Sequence, residues 1–201
     1  MMKIYDENQN LINTNIMEKQ EQDLAKKYIE ENDVVLELGA RYGSVSCIIN
    51  SKLSNKNNQV SVEPDCRVWD ALEKNAKINN CGFNIIKGFI GEKKMDLTNL
   101  DNYCGGYAST FIYNENSKIQ SYTLDEVKKI YNLKFNVLVA DCEGFLEVFF
   151  DENPNCYDDL RLIIFEADYD HKCNYEKIRK SLIKYNFKAI LDGHQNVYIK
   201  T

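Results

Sequence analysis

The sequence predicts an α/β fold in which a doubly wound, mostly parallel sheet carries a C-terminal antiparallel hairpin strand. Two observations lead to this prediction. Short apolar runs, typical of buried parallel strands, alternate with longer segments of helical periodicity, and this alternation favours right-handed crossovers within one sheet. The chain then ends in a helix, a strand, a tight turn and a strand, which reverses the direction of the last strand.

The composition indicates one globular domain. The chain has 201 residues, 44% of them hydrophobic, which is enough for one core and short for two. We expect a single domain over residues 1–201, with residues 1–31 as an N-terminal helical extension. Seven scattered cysteines, none of them in a Cys-x-x-Cys pair, argue against a disulfide framework or a zinc site and favour a reducing compartment.

Charge and hydropathy restrict the partners and the location. The formal net charge is −6 and there is no basic block, whereas a nucleic-acid-binding protein usually carries a basic stripe. We therefore do not expect nucleic acid as the main partner. The polar N-terminus has no apolar stretch long enough for a signal peptide or a membrane span. The protein is expected in the cytoplasm, with no membrane contact, and its oligomeric state is left open.

Six elements are predicted in the first half of the chain. The segment MEKQEQDLAKKYIEE has the charged, amphipathic pattern of a surface helix, and Asn32 and Asp33 end it. The runs VVLEL, QVSVE and NIIKGFI are short and apolar, as buried strands are. Pro64 ends the second strand, and the helix after it directs Val68 and Leu72 inward. In order, the elements are helix 17–31, strand 34–38, helix 44–53, strand 59–63, helix 66–79 and strand 84–90.

The second half begins with a long connection. Residues 91–116 contain glycine and asparagine without a period and exceed the usual length of a connection, so they form either a functional loop or a poorly ordered segment. Thr123 is a suitable helix cap ahead of Asp125 and Glu126. An Asp-Gly-His turn joins the two terminal strands. The elements are strand 118–122, helix 123–131, strands 135–141 and 160–167, helix 174–185 and paired strands within 187–200.

The turn after the first predicted strand has the features of a cofactor site. In open α/β sheets, ligands bind beyond the carboxyl ends of the strands. Gly39 permits a tight turn and a close backbone approach, and Gly43 lets the next helix pack close, with its N–H groups facing the ligand. Glu37 can accept a hydrogen bond from an ammonium group. The Gly-x-x-x-Gly spacing differs from the Gly-x-Gly-x-x-Gly of dinucleotide sites, where a carboxylate beside the pyrophosphate would bring no benefit.

The second predicted strand ends in a further acidic residue. Glu63 follows Glu37 by 26 positions, and an acidic residue there can accept hydrogen bonds from both ribose hydroxyls. Together with the glycine turn, these carboxylates fit S-adenosylmethionine better than NAD. Phe89 and Ile90, at the end of the third strand, are expected to line the adenine pocket. Trp69 is expected in the core rather than against the adenine.

Five segments, in the right order, resemble one enzyme family. They are LELGARYGSVS, VEPDCRVWDALEKNAKIN, YTLDEV, VLVADCEGFLEV and LIIFEA, and together they span about residues 30–170. The chain therefore resembles FkbM-type methyltransferases, a branch of the class I S-adenosylmethionine-dependent enzymes with a Rossmann-like fold. The resemblance implies S-adenosyl-L-methionine as cofactor and S-adenosyl-L-homocysteine as product. The implied cofactor-binding residues are Glu37, Gly39, Ala40, Arg41, Gly43, Glu63, Pro64, Phe89, Ile90 and Asp141.

The chain departs from the family pattern in two places. Val139 and Ala140 stand where the family often has Lys-Ile, so any role of that lysine is absent. Arg41 and Tyr42 replace smaller or neutral residues beside the cofactor. Arg41 either contacts the methionine carboxylate of the cofactor or is an ordinary surface arginine.

The candidate catalytic residues follow the fourth and fifth long strands. Asp141 is the first candidate for base or substrate anchor, since a hydroxyl acceptor needs a base as well as alignment. Glu143 is the second, unless it only orients the turn at Gly144. His171 is a third candidate base, and His194 lies on the same ligand side. An oxygen-rich Mg²⁺ site could also form there, although acidic clusters at strand ends are common without a metal and none is predicted; its ligands would come from Asp141, Glu166, Asp168, Asp170 and His171.

These observations favour an S-adenosylmethionine-dependent O-methyltransferase that acts on a hydroxyl of a small molecule or a sugar. Methylation of an RNA cap or a protein is an alternative within the same chemistry, and the acidic charge argues against RNA. A non-catalytic S-adenosylmethionine-binding or scaffold protein of the same fold is a second alternative. A redox enzyme is disfavoured by the spacing of the glycine turn. The sequence does not identify the acceptor.

Overall fold

The structure is a computed structural model and describes residues 2–98 and 109–201. Its first elements are a small hairpin of β1 (Ile4–Tyr5) and β2 (Leu11–Ile12), followed by helix α1 (Lys19–Tyr28). The expected helical extension therefore occupies only part of residues 1–31. The hairpin forms because the Asp6 carboxylate accepts hydrogen bonds from the backbone N–H groups of Asn8 and Asn10, which is turn chemistry that competes with a helix.

The remaining elements alternate between strands and helices, as the sequence predicts. In order they are β3 (Val35–Leu38), α2 (Ser44–Lys52), β4 (Gln59–Glu63), α3 (Trp69–Ile78), β5 (Asn84–Ile90), β6 (Met95–Thr98), β7 (Thr110–Tyr113), β8 (Gln120–Tyr122), α4 (Leu124–Tyr131), β9 (Val137–Ala140), α5 (Leu146–Glu152), α6 (Cys156–Asp159), β10 (Leu162–Glu166), α7 (Tyr175–Lys184), β11 (Phe187–Leu191) and β12 (Gln195–Lys200).

The main sheet has eight strands in the order β11-β12-β10-β9-β3-β4-β5-β8. Strand β12 is inserted between β10 and β11 and runs antiparallel to both, while the β9, β3, β4 and β5 pairings are parallel. The predicted reversal of the last strand is confirmed. Its cause is the short turn after β11, which brings the chain straight back along the neighbouring strand.

Both faces of the sheet are covered, which explains the continuous apolar runs of its central strands. On one face Val35 and Val137 pack against α1 and α2. On the other face Leu36 and Leu138 pack against α4, α5 and α7. A strand that is buried on both sides carries mostly apolar residues on both of its faces, so it lacks the regular alternation of a half-exposed strand. Within the described residues, no helix is both long and apolar enough to cross a membrane.

The long connection between β5 and β8 is partly regular, which corrects the expectation of an irregular segment over residues 91–116. Strands β6 and β7 pair antiparallel, and Asp96 accepts hydrogen bonds from the side chains of Asn114 and Ser117 beneath them. Residues 99–108 lie outside the described part of the chain. Helices α5 and α6 were also not predicted, because each is too short to show a helical period.

The predicted cap of the helix after β8 is confirmed. The Thr123 hydroxyl accepts from the Glu126 backbone N–H at 3.2 Å, and the Glu126 carboxylate accepts from the Thr123 N–H at 2.8 Å. This reciprocal capping box satisfies two N–H groups that otherwise have no partner within the helix. It defines where α4 begins.

Candidate active site

A cleft with an empty volume of about 730 Å³ lies at the carboxyl ends of β3, β4, β5 and β9. Eight of the residues singled out from the sequence line it: Gly39, Arg41, Glu63, Pro64, Phe89, Ile90, Asp141 and Glu143. Glu37, Ala40, Gly43 and His171 are not among the described residues that line it.

Gly39 brings two turns of the chain into direct contact. Its φ is +89°, and a Cβ atom built on it would lie 1.6 Å from the backbone oxygen of Asp141. In return, the Asp141 N–H donates to the Leu38 carbonyl at 3.0 Å. A side chain at position 39 would therefore displace Asp141, the residue that follows β9. The close approach expected of this glycine is made to the neighbouring turn of the protein itself.

Gly43 places the helix that follows the turn. It is the N-cap of α2 with a φ of +82°, and a Cβ there would lie 2.7 Å from the Leu72 side chain on α3. Ala40 is buried and donates its N–H to the Val62 carbonyl at 3.0 Å. These two residues shape the turn from behind.

The Glu63 carboxylate is fixed at the edge of the cleft. One oxygen accepts from the Arg41 backbone N–H and the other from the Asp65 backbone N–H, both at 2.7 Å. The Trp69 ring N–H donates to the Glu63 carbonyl at 2.8 Å. Each carboxylate oxygen keeps a further lone pair for a ligand hydroxyl. Burial raises the pKa of Glu63 to about 7, against the lowering effect of its two backbone hydrogen bonds.

Glu37 lies on the opposite face of its strand from the neighbouring Leu38, and so behind the cleft. One of its oxygens accepts from the Ser61 hydroxyl at 2.5 Å and from the Gln59 side-chain amide at 3.3 Å. Burial raises the pKa of Glu37 to about 7, although these hydrogen bonds lower it. The carboxylate borders a smaller, adjoining pocket instead.

Arg41 is buried, with only 8% of its surface exposed, so the alternative of an ordinary surface arginine is wrong. Its guanidinium donates to the Asp65 carboxylate at 3.3 Å and to the Tyr42 hydroxyl at 3.2 Å. The backbone φ of Arg41 is +44°, a conformation that few non-glycine residues adopt outside functional turns. Asp65 also accepts from Arg67, so that two cations share one carboxylate.

Three carboxylates meet at the far end of the cleft. Asp141, Glu143 and Asp168 each offer an oxygen, and these oxygens lie within 4.8 Å of one another. Burial and the charge of Glu166 hold the pKa of Asp141 well above its usual range. Burial and a hydrogen bond shared with Asp168 raise the pKa of Glu143 to about 9. Three carboxylates this close cannot all be ionised unless a cation lies among them; otherwise at least one of them keeps its proton. Three carboxylate oxygens are also a ligand set that suits Mg²⁺.

The turn that holds Glu143 is conformationally unusual. Glu143 has a φ of +52° and Gly144 a φ of +84°, and a Cβ on Gly144 would lie 3.0 Å from the Cβ of Lys172. This geometry directs the chain from β9 into α5 while it keeps Glu143 beside Asp141. Lys172 in turn donates to the Thr110 hydroxyl at 2.5 Å, which ties the loop after β10 to strand β7.

The other candidates for the acidic site lie elsewhere. His171 is exposed, its ring lies 5.7 Å from that of Tyr169, and it does not flank the cleft as expected. Asp170 is exposed as well. The His194 ring contacts the Glu166 carboxylate and lies 3.2 Å from the Ala167 carbonyl. Of the five residues suggested as a Mg²⁺ site, the structure brings together only Asp141 and Asp168, with Glu143 as the third member.

Several cleft residues were missed by the sequence argument. Glu18, the N-cap of α1, lines the cleft and accepts from the Ser44 hydroxyl. Strands β6 and β7 form a wall with Leu97 and Phe111. The Phe145 ring lies 5.2 Å from that of Phe111 and 6.1 Å from that of Phe89, so three aromatic rings meet at one side. The available signal for β7 was the run of β-branched and aromatic residues TFIY, and Glu18 left no signal.

Comparisons with known proteins find similarity in structure only. No family model matches the sequence, and no curated protein matches it. The precorrin-6y C5,15-methyltransferase of Geobacter metallireducens aligns at a TM-score of 0.57 and 12% identity, over 94% of this chain and 93% of that chain. An O-methyltransferase from Bacillus cereus, solved in complex with SAH, aligns at 0.53 and 14%, over 90% and 80%.

A third similar structure is the ribosomal protein L11 methylase of Lactobacillus delbrueckii, with a TM-score of 0.52 and 14% identity, over 91% of this chain and 79% of that chain. At these identities the similarity shows the fold. The fold is the Rossmann-like fold of class I methyltransferases, as the sequence predicts. The acceptors named for these proteins differ, and none of these structures indicates the FkbM family.

Proposed function

We propose that this protein is an S-adenosylmethionine-dependent methyltransferase of the FkbM type, acting on a hydroxyl group of a small molecule or a sugar. The observation that carries the proposal is the Glu63 carboxylate, held by two backbone N–H groups at the edge of the cleft. A dinucleotide would bring a pyrophosphate to the glycine turn, where the nearby carboxylates Glu18 and Asp141 would repel it.

The cofactor would lie across the strand order β5-β4-β3-β9. In this arrangement the adenine contacts Phe89, Ile90 and Pro64, which are apolar and line the cleft. The two ribose hydroxyls donate to Glu63. The methionine part passes Gly39 towards Asp141, and each step from strand to strand covers about 4.8 Å.

Methyl transfer then needs the acceptor oxygen to be aligned with the methyl group and the hydroxyl proton to be removed. A lone pair of the acceptor oxygen attacks the methyl carbon, the carbon–sulfur bond breaks, and its electron pair stays on sulfur. The hydroxyl proton passes to a carboxylate, for which Asp141 is the first candidate and Glu143 the second. The positive sulfonium favours the ionised form of a carboxylate beside it. A divalent cation held by Asp141, Glu143 and Asp168 would lower the pKa of a bound hydroxyl.

Mass spectrometry of the denatured, purified protein tests the cofactor assignment. We expect S-adenosylmethionine or S-adenosylhomocysteine to co-purify, or to bind when added at micromolar concentration. NAD or NADP in their place, with no response to S-adenosylhomocysteine, would overturn the proposal. The six described cysteines are free, which suits the reducing cytoplasm that we propose as the location.

A screen for transfer of labelled methyl groups tests the acceptor class. The panel contains glycosides, small hydroxyl compounds, cap analogues and a ribosomal protein extract. We expect labelling of a small molecule, because the net charge of −6 is unfavourable for RNA. Labelling of the cap analogue or the protein alone would replace the small-molecule acceptor. Tight cofactor binding with no turnover on any acceptor would favour the scaffold alternative.

A further inference from the structure

A second pocket adjoins the cleft and has a strongly acidic lining. Its cavity volume is about 20 Å³, room for a group the size of a water molecule or an ammonium, and it shares Glu18, Leu38, Gly39 and Asp141 with the cleft. The carboxylates that line it come from α1, the turns and the strand ends: Glu18, Glu21, Glu37, Asp141 and Glu166. Among the described residues of its lining there is no lysine, arginine or histidine.

Two buried oxygens of the pocket lining, Glu37 Oε1 and Gln195 Oε1, have no hydrogen-bond partner among the described residues. The side-chain amide N–H of Gln195 donates to Glu21, whereas the side-chain oxygen of Gln195 is buried and has no hydrogen-bond partner. Gln195 is only 7% exposed and lines the pocket. A buried oxygen without a donor is costly, so this position favours a ligand that brings an N–H or O–H group.

The lining also has an apolar part. Val45, Val139 and Ile164 border the same space. A ligand that fits places a small group with several donors in this space, and its hydrocarbon stem leads from these side chains out into the cleft. Carboxylates on several sides select a positive charge for that group, because a neutral donor would leave their mutual repulsion uncompensated. A protonated amine has all of these properties.

The position of the pocket assigns this amine to the acceptor rather than to the cofactor. The ribose site lies at the end of β4, and the methionine part would extend past β3 to β9. Glu166 ends β10 and Gln195 begins β12, which are one and two strands further along the same edge. Glu21 and Gln195 therefore border the side of the cleft away from the ribose site, where the acceptor must enter.

We propose that this pocket binds a protonated amine of the methyl acceptor, so that the substrates are small amine-bearing hydroxyl compounds. The inference rests on the proposed function, which orients the cofactor along the sheet. Glu21 and Gln195 are the specificity-determining residues. The stem of the acceptor lies along Val139 and Ile164, and its reacting hydroxyl lies beside Asp141.

The experiment compares charged and uncharged ligands of matched shape on the protein saturated with S-adenosylhomocysteine. The pairs are glucosamine with glucose, and 3-aminopropanol with 1,3-propanediol, measured by saturation-transfer NMR titration. We expect each amine to bind at least about tenfold more tightly than its uncharged counterpart, as for a charge-assisted hydrogen bond. Equal binding within each pair, or no binding of either amine, would overturn the proposal.

Two variants locate the effect, and a third is the control. Glu21→Gln and Gln195→Leu should each reduce the preference for the amine about tenfold, with the affinity for S-adenosylhomocysteine unchanged within about twofold. Glu176→Gln, on an exposed glutamate of α7, should change neither. If both pocket variants lost S-adenosylhomocysteine together with the amine, the pocket would hold the ammonium of the cofactor and the proposal would be wrong. Failure of the unmodified protein to bind S-adenosylhomocysteine would instead refute the proposed function.

Discussion

The carboxylates at the two ends of the cleft differ in whether donors and cations compensate their charge. At the end where we propose that the ribose binds, Glu63 is bonded to two backbone N–H groups, and Asp65 is paired with Arg41 and Arg67. Burial raises the pKa of Asp65, but the Arg67 hydrogen bonds and the Arg41 charge outweigh it and hold that pKa below its ordinary value. At the acidic end, Asp141, Glu143 and Asp168 face one another, and none of the ion pairs found among the described residues involves them.

Under the proposed function, this difference separates the end of the cleft that binds the cofactor from the end where methyl transfer takes place. The hydrogen bonds that hold Glu63 are already formed in the ligand-free protein, so a ribose at the proposed site would bind with little rearrangement. The acidic end carries carboxylates whose pKa values are raised by burial and by one another, and such groups are suited to accept protons or to hold a cation. We therefore expect substitutions at the Glu63 end to change the affinity for the cofactor, and substitutions at the acidic end to change the rate of methyl transfer.

The largest effect is expected from Asp141→Asn, which keeps the shape and removes the base. Turnover on a native acceptor should fall by about 10²–10⁴-fold, while the affinity for S-adenosylhomocysteine changes by less than about threefold. Asp170→Asn, on an exposed residue two positions beyond Asp168, is the matched control and should retain its activity. The measurement is steady-state methyl transfer.

If Asp141→Asn kept turnover within about threefold of the unmodified protein, the assignment of Asp141 as the base would be wrong, since alignment of the acceptor with the methyl group would then account for the rate. Loss of turnover in His171→Ala, with Asp141→Asn active, would assign the base to an imidazole that is exposed in the structure. Either result would move the chemistry away from the acidic end of the cleft.

The next effect concerns the contact that joins the two ends. Gly39→Ala should lower the free energy of unfolding by about 3 kcal/mol, because the new Cβ collides with the Asp141 carbonyl in a left-handed backbone. Gly193→Ala is the control, since a Cβ there meets only one oxygen at 3.9 Å, and it should change stability by less than about 0.5 kcal/mol. Urea unfolding measures both, and equal values would contradict the account.

A further effect, on stability rather than on turnover, is expected from the buried carboxylate of Glu37. Its pKa in the folded protein is about 7, above the ordinary value of 4.5, so folding favours the protonated form. The associated stability is complete below about pH 4.5 and is lost as the pH rises through 7. Glu37→Gln removes this dependence, so the variant should gain about 3 kcal/mol relative to the unmodified, ligand-free protein between pH 4.5 and 8.

Thermal unfolding at several pH values measures this difference directly. Comparison of the variant with the unmodified protein at each pH cancels the other titrating groups. A stability difference that stays constant from pH 4.5 to 8 would mean that Glu37 is ionised in the folded state, as the Ser61 and Gln59 hydrogen bonds alone would make it.

The sequence predicted the parts of the site that depend on local pattern. Gly39, Glu63 and Asp141 each follow an apolar run, and the carboxyl ends of parallel strands meet at one edge, so their placement follows from the strand assignment. The last strand was likewise predictable, because a turn of three residues leaves it only one direction.

The sequence could not place residues whose position depends on long-range packing. Glu18 lies 26 positions before Ser44 along the chain, and only the packing of α1 against α2 brings the two together. The sequence also could not show which face of β3 carries Glu37. That depends on which helices cover each face of the sheet, and the apolar run of the strand is the same whichever helices do so. The sequence left open whether Arg41 is a surface residue, because its burial depends on Asp65, which follows β4.

Calorimetry of S-adenosylhomocysteine against NAD tests the central claim most directly, that the ribose end of the cleft holds this cofactor through Glu63. The account predicts micromolar binding of S-adenosylhomocysteine, no comparable binding of NAD, and a loss of about 1–3 kcal/mol in Glu63→Ala, because two ribose hydroxyls lose a charged acceptor. Glu73→Ala, on the exposed face of α3, should bind as the unmodified protein does. Tight NAD binding, or unchanged S-adenosylhomocysteine affinity in Glu63→Ala, would contradict the account.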